Sequence, residues 1–383
     1  METIDIIIIG GGPAGISTAL HLVQSAPHLT SRILVLEKAR YPRPKLCGGG
    51  LVKDAEVLLE HLGLDVNEVP WVKAKTLHLN YKGNGVRYTQ SKSHALRIIR
   101  RDEFDAWLAN KAREKGILIR EGIRVRDLQL EDDYVIVHTD EGDIHAQVVV
   151  GADGSNSATR KSIFPDFSGS KARVLEVLTP SSNQNSPQQN DTNALFDFLP
   201  VPQGISGYIW DFPTQVDGHS MRCWGIYDAN LHTWKHRRPL KKILFTEMKN
   251  HGLNPSSLEL KGHPISWFSP FNLLSMKRVL LVGDAAGADP LFGEGISMAL
   301  GYGKVAAGAI IEAFKHQQFD FTSYKHRLLG SPLGRVLTTR WALANIIYSF
   351  RWGWFHFLLW RVFKPVTQLV AWLFLLNWGK RME

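Results

Sequence analysis

The chain opens on IDIIII (Ile4–Ile9), a run too apolar for a strand with one wet face. Such a run suits a parallel sheet covered on both sides. Glycines follow it, and then a helical pattern. SRILVLEK (Ser31–Lys38) reads as a second buried strand. Lys53–Leu62 reads as a helix. Asp102–Lys115 reads as another, with acids in its first turn and bases in its last, as the helix dipole favours. Strands are expected at Tyr134–His138 and Ile144–Val150. From about Val174 to Trp267 the character changes, and Leu195–Leu199, Gly207–Phe212 and Met221–Tyr227 read as antiparallel strands. The polar stretch Pro180–Asn193 reads as a mobile low-complexity loop. MKRVLLVGDAAG (Met276–Gly287) then returns to a buried strand ending in a glycine turn. The order predicts a nucleotide domain built from discontinuous pieces, with a sheet-rich domain inserted.

Three stretches carry the chemistry. Gly10, Gly12 and Gly15 form G-x-G-x-x-G between a strand and a helix, with Pro13 and Ala14 inside the motif. Glycine there permits a tight turn, close approach to a pyrophosphate and close helix–strand packing, and the helix N-terminus offers N–H groups to the phosphates. Glu37 ends the second strand with Lys38 after it, placing a carboxylate where ribose hydroxyls would lie and disfavouring a 2′-phosphate. The second stretch is VVVGADGSNSATR, with Asp153 and Gly154. The third is RVLLVGDAAGADPLFGEGISMAL, with Gly283, Asp284, Ala285, Pro290, Gly293, Gly295 and Ile296. There Asp284 suits ribityl hydroxyls. The helix opening after Gly295 suits the flavin edge that becomes negative on reduction. Singly, each stretch could be a strand-to-turn corner; three in this order are not incidental, and Glu37 favours FAD or NAD over NADP.

The three motifs together resemble the FAD-dependent oxidoreductases of the aromatic-hydroxylase fold, over the chain to about residue 320. Arg101, in RRDEFDAWL, matches that family's R-x-x-F-D-x-x-L, which implies an arginine beside the FAD. YPRPKLCGGGL (Tyr41–Leu51) resembles the P-K-x-C-G loop of the geranylgeranyl reductase family. GYIWDFPTQVDGHSMRCWGIY (Gly207–Tyr227) resembles its Y-x-W-x-F-P strand. Tyr208, Trp210, Phe212 and Pro213 match, while of the following glycine pair only Gly225 is present, later than the pattern has it. The resemblance implies an α/β protein: a discontinuous Rossmann-like FAD-binding domain (1–75, 98–173 and 268–322), an inserted antiparallel β-sheet substrate-binding domain (76–97 and 174–267) and a C-terminal helical segment (323–383). It further implies reduction of C=C bonds in an isoprenoid chain by hydride from reduced FAD. Cys47, Gly48 and Gly49 would lie at the flavin, with Cys47 as proton donor, substrate contact or pocket wall. Tyr208, Trp210, Phe212, Pro213 and Gly225 would line the substrate tunnel. A monooxygenase or halogenase of the same fold, or a quinone-linked flavoprotein, is the alternative.

Charge alters the picture at one end. The net charge is +9, yet 323–383 alone carries nine Lys or Arg against one acid, Glu383, and six of the twelve tryptophans. The basicity therefore belongs to one aromatic tail and is no nucleic-acid signature. Its apolar runs are interrupted by Arg351, Arg361 and Lys364, short of the ~20 apolar residues of a spanning helix. Tryptophan with basic residues on an apolar helix suits the membrane surface; a cap over the pocket or a dimer seam is the other reading. A cytoplasmic protein, peripheral on the inner face of a membrane, is expected. Two cysteines, Cys47 and Cys223, make no disulfide framework, and the N-terminus carries no secretory pattern. No second glycine motif for a nicotinamide is present, so electrons are expected from transient NAD(P)H or from reduced ferredoxin. No metal site is expected.

Overall fold

The computed structural model describes residues 2–90, 92–167, 169, 171–181, 192–231, 238–370 and 376–382. The N-terminal apolar run forms the strand Glu2–Ile9, whose Ile6, Ile7 and Ile8 are fully buried. It lies inside an eight-stranded sheet ordered Ser275–Met276, Val279–Leu281, Gly142–Gly151, Glu2–Ile9, Ile33–Glu37, Leu118–Glu121. The four pairings from Val279–Leu281 through Leu118–Glu121 are parallel, and Val135–Thr139 and Val125–Leu130 extend the sheet antiparallel from Gly142–Gly151. Helices Pro13–Ser25 and Ile296–His316 pack against each other closely enough that a methyl at Gly303 would meet Ser17 Oγ at 2.4 Å.

A second sheet has seven strands, ordered Lys261–Ser266, Lys171–Pro180, His219–Asp228, Gly207–Val216, Asn193–Asp197, Thr76–Tyr81, Asn84–Thr89. All its pairings are antiparallel except Asn193–Asp197 with Thr76–Tyr81, which is parallel. Its outer face packs Ile209, Trp224 and Ile226 under helix Leu240–Asn250. Its inner face turns Tyr208, Trp210, Phe212, Cys223 and Tyr227 toward a small third sheet, Gly50–Leu51, Leu96–Ile99 and Trp71–Ala74. A strand alternates its side chains between faces, and these residues fall into the two sets accordingly.

Element types agree with the sequence reading, and the ends differ for local reasons. The second strand starts at Ile33, because Ser31 and Arg32 are wound into the 3-10 turn Pro27–Arg32. The strand expected over Leu195–Leu199 is Asn193–Asp197: the Asp197 carboxylate accepts from Leu199 N–H at 2.8 Å and turns the chain out of the sheet. The domain boundaries expected at 97/98 and 173/174 fall inside the strands Leu96–Ile99 and Lys171–Pro180. Of the loop expected over Pro180–Asn193, residues 182–191 lie outside the described residues.

In the tail, helix Pro332–Ser349 packs Ala344 and Tyr348 into the core between the sheets, and Trp360 stacks on Phe198 at 4.8 Å. Trp378 is fully buried, its ring 2.9 Å from where a methyl on Gly301 would stand. Among the described residues the one helix long and apolar enough to cross a membrane is Ile296–His316, which is buried in the core.

Candidate active site

The first glycine motif folds as a cradle. Gly10 sits at φ 107°, and a methyl there would strike Ala152 O at 2.4 Å; one at Gly15 would lie 2.0 Å from Gly10 O. These two positions exclude any side chain. Over Gly12 a methyl would meet no backbone, only the end of the Arg43 side chain, with Nη2 at 3.6 Å. Gly12 is the N-cap of Pro13–Ser25 and Pro13 its first residue, and no side chain caps that end. An uncapped N-terminus of this kind suits a phosphate.

Glu37 is buried at the end of the adjacent strand. It accepts from Gly11 N–H at 2.9 Å and Ala39 N–H at 3.0 Å, and Arg43 Nη2 lies 3.5 Å from it. Lys38 points to solvent. Arg43 also approaches Asp105 at 3.2 Å, and Asp105 receives both Nε and Nη2 of Arg101 at 2.8 and 2.9 Å. Arg101 is thereby fixed as a fork on its own helix.

The second and third motifs close on the first. A methyl at Gly283 would meet Ala14 Cβ at 2.6 Å, and Ser155 Oγ donates to Asp284 at 3.1 Å. Gly295 caps Ile296–His316 without a side chain and faces Asp284. Gly154 has nothing within 4 Å of where a side chain would begin. Asp153 is turned inward: it accepts from Ser157 Oγ at 2.5 Å and from Thr159 N–H at 3.0 Å, so it shapes its own turn. The sequence reading passed over Arg160, which donates to Ala285 O at 2.9 Å, Ser155 O at 3.0 Å and Ser266 Oγ at 3.2 Å and so stitches the two motifs to the second sheet. Its place within the second motif was the available signal.

The loop from Arg43 to Gly50 spans from this cradle to the second sheet. Lys45 Nζ lies 2.9 Å from His263 Nε2, and burial, then Lys45, drives the His263 pKa down to about 4. Cys47 is half-buried and unbridged; its sulfur accepts from Gly49 N–H at 3.4 Å. A methyl at Gly48 would stand 3.0 Å from Trp210 Nε1 and 3.1 Å from Phe212 Cε2. Gly49 O accepts from Ile99 N–H at 2.9 Å, which anchors the loop to the small sheet.

The aromatic strand forms the facing wall. Trp210 and Phe212 lie on the inner face, and the Trp210 indole lies across Gly225, where a methyl would be 2.0 Å from Cζ2. Gly225 is thus the slot for that ring. Tyr208 and Tyr227 tie the wall to the third motif: their hydroxyls donate to Phe292 O and to Pro290 O, the latter at 3.0 Å, and the Tyr227 ring covers Gly293. Pro213 was expected with this set. The pleat places it on the opposite face, paired with Arg222 and away from the wall. Behind the third motif Arg340, on the tail helix, donates to Asp289 at 2.9 Å and reaches Glu294.

Residues 3–301 match the model of the FAD binding domain family. The chain belongs to this family. It is an FAD-dependent oxidoreductase, and the residues fit the cofactor: two uncapped helix N-termini, the Glu37 carboxylate and open space over Gly154 lie along one cradle. The oxidoreductase is 27% identical over 349 residues to the digeranylgeranylglycerophospholipid reductase of Thermoplasma acidophilum, covering 84% of this chain and 81% of that one. It is 27% identical over 325 residues to the chloroplastic geranylgeranyl diphosphate reductase of Arabidopsis thaliana, covering 80% of this chain and 65% of the other. The solved geranylgeranyl bacteriochlorophyll reductase-like protein of Thermoplasma acidophilum shares its fold, with a TM-score of 0.78 at 20% identity over 100% of this chain and 96% of the other. The halogenase PltM shares it at a TM-score of 0.65 and 16% identity, over 90% of this chain and 76% of that one.

Proposed function

We propose that this oxidoreductase saturates C=C bonds in the isoprenoid chain of a lipid. The observation that carries the reading is the seam between the Cys47–Gly50 loop and the inner face of the second sheet. Glycine backbone packs directly on Trp210 and Phe212 there, so the seam is apolar and free of side chains on one side, and it must part to admit a flat, apolar chain beside the cofactor cradle. The relatives named as reductases of geranylgeranyl compounds support it.

Bound and reduced, FAD supplies a hydride to one alkene carbon. The chain's own residues do the rest. Glu37 and the glycine cradle hold the nucleotide half. The loop carrying Pro290 and Gly293, pinned by Tyr208, Tyr227 and Arg340, holds the other end in place. The aromatic wall keeps water from the reacting carbons. Cys47 lines the seam beside them. Electrons reach the flavin from NAD(P)H or from a ferredoxin-type protein.

The substrate enters from a bilayer. Trp352 and Trp354 are 58% and 61% exposed and stack at 5.9 Å, with Phe363, Val366 and Leu369 exposed beyond them and Arg361 and Lys364 interspersed. This apolar, cationic surface suits anionic lipid on the inner face of a membrane.

The test is anaerobic incubation of dithionite-reduced enzyme with geranylgeranyl lipids, diphosphates and quinones. Products heavier by pairs of hydrogens support the reading. No saturation in any prenyl class overturns it, and oxygen-dependent hydroxylation or halogenation of an added aromatic would replace it.

A further inference from the structure

Alkene reduction needs a proton as well as a hydride, and one half-buried acid with a buried carboxyl oxygen faces the seam. Glu176 lies on the strand Lys171–Pro180 in register with Gly225, the residue across which the Trp210 indole lies. Val174, two residues earlier, belongs to the inner core and Val177 to the outer one, so the pleat directs Glu176 inward. The carboxyl lies against the Cys223 thiol and the Cys47 amide. Trp210 Nε1 in turn donates to Cys223 Sγ at 3.5 Å. Glu176 Oε2 is buried and has no hydrogen-bond partner among the described residues. A carboxylate so placed costs more than a carboxylic acid, which can also donate one hydrogen bond.

We propose that Glu176 is the acid that protonates the second alkene carbon, an inference that rests on the prenyl-reductase reading. The C=C π bond breaks and two C–H bonds form. Hydride comes from the reduced flavin, which is left oxidised by two electrons, and the proton comes from the Glu176 O–H. The carboxylate left behind regains a proton from water, and the external reductant restores the flavin.

The surroundings favour this form. Burial pushes the Glu176 pKa up to about 7, and it outweighs the opposing Cys223 thiol, Lys261 on the neighbouring strand, the Cys47 amide and Arg100. The group therefore still holds its proton near neutral pH, whereas burial first, and Glu176 second, push the Cys223 thiol well above the usual range. An acid matched to the working pH is the efficient donor.

Glu176→Gln is the test, with Glu176→Asp and Cys47→Ala beside it. In the anaerobic dithionite assay Glu176→Gln loses about 100-fold or more in alkene reduction. It keeps FAD binding and flavin reduction by dithionite. Glu176→Asp retains part of the turnover, and wild-type turnover falls as pH rises through about 7. Cys47→Ala preserves the amide that faces Glu176 and removes the rival proton donor, so whatever turnover it keeps still falls as pH rises through about 7. Independently of turnover, 13C NMR of glutamate-labelled protein shows one carboxyl titrating near neutral pH that Glu176→Gln lacks. Wild-type turnover in Glu176→Gln overturns the proposal, as does ordinary titration of that carboxyl near 4.5. Loss in Cys47→Ala with activity kept in Glu176→Gln moves the donor to the thiol and leaves the prenyl-reductase reading standing. A wild-type enzyme that saturates no prenyl chain fails that reading and takes the proposal with it.

Discussion

Replacing Arg340 by alanine should uncouple the tail from the cofactor loop at a cost that the structure lets one estimate. The guanidinium is 3% exposed and holds two carboxylates, Asp289 at 0% and Glu294 at 12%. Removing one partner of a buried charge pair costs about 3–5 kcal/mol, because the other charge is left unpaired in a poor medium. Asp289 also accepts from Leu291 N–H at 2.7 Å and Phe292 N–H at 3.2 Å, which keeps the loss toward the lower figure. Against a native stability of about 5–15 kcal/mol this is a large fraction. With an unfolding entropy of about 0.8 kcal/mol/K for 383 residues, the melting temperature falls by about 4–6 °C.

The pH dependence adds a sign. Burial raises the Asp289 pKa, and Arg340 is the main force holding it down. Without Arg340 it rises further, so the folded variant binds protons more readily than the unfolded chain. A carboxyl raised on folding destabilises at high pH, and that penalty is lost as pH falls through its folded pKa. The deficit of Arg340→Ala is therefore largest near pH 8 and shrinks toward pH 5. Urea denaturation of wild type and variant across that range measures it, with FAD titration beside it, since Pro290 and Gly293 lie in the loosened loop. A deficit under about 1 kcal/mol at pH 8, or one that grows on acidification, would refute the reasoning.

Gly225→Ala places a methyl 2.0 Å from the Trp210 ring, so the indole must leave its slot, at an overpacking cost of about 1–3 kcal/mol; thermal melts and a changed tryptophan emission spectrum check it. Glu37→Ala removes the acceptor of Gly11 and Ala39 N–H, and FAD affinity by equilibrium titration should fall about tenfold or more, at about 1–3 kcal/mol for buried donors left unpaired. Trp352→Ala with Trp354→Ala should lower co-sedimentation with anionic vesicles while leaving the reduction of detergent-dispersed substrate near wild type; unchanged sedimentation would remove the membrane reading of the tail.

The cofactor half was legible because its signals are contiguous and its chemistry is largely backbone. G-x-G-x-x-G after a buried strand, an acid at the end of the next strand, and Gly-Asp after a third each dictate local geometry with few long-range contacts. The buried first strand and the helix-opening glycines follow from those residues alone.

The facing wall required the tertiary structure. Strand register brings Gly225 opposite Trp210, sets Glu176 beside it and turns Pro213 away, and a one-residue slip would reverse every face. The tail reads as an interfacial segment by composition, yet folding divides it. Tyr348, Trp360 and Trp378 are spent on the core, and Trp352 and Trp354 are left to solvent. Glu176 gave no sequence signal, because an isolated acid in an alternating strand is ordinarily solvated. Only the packing of the Cys47 loop, the Cys223 thiol and the indole around it removes the water that would otherwise keep it charged.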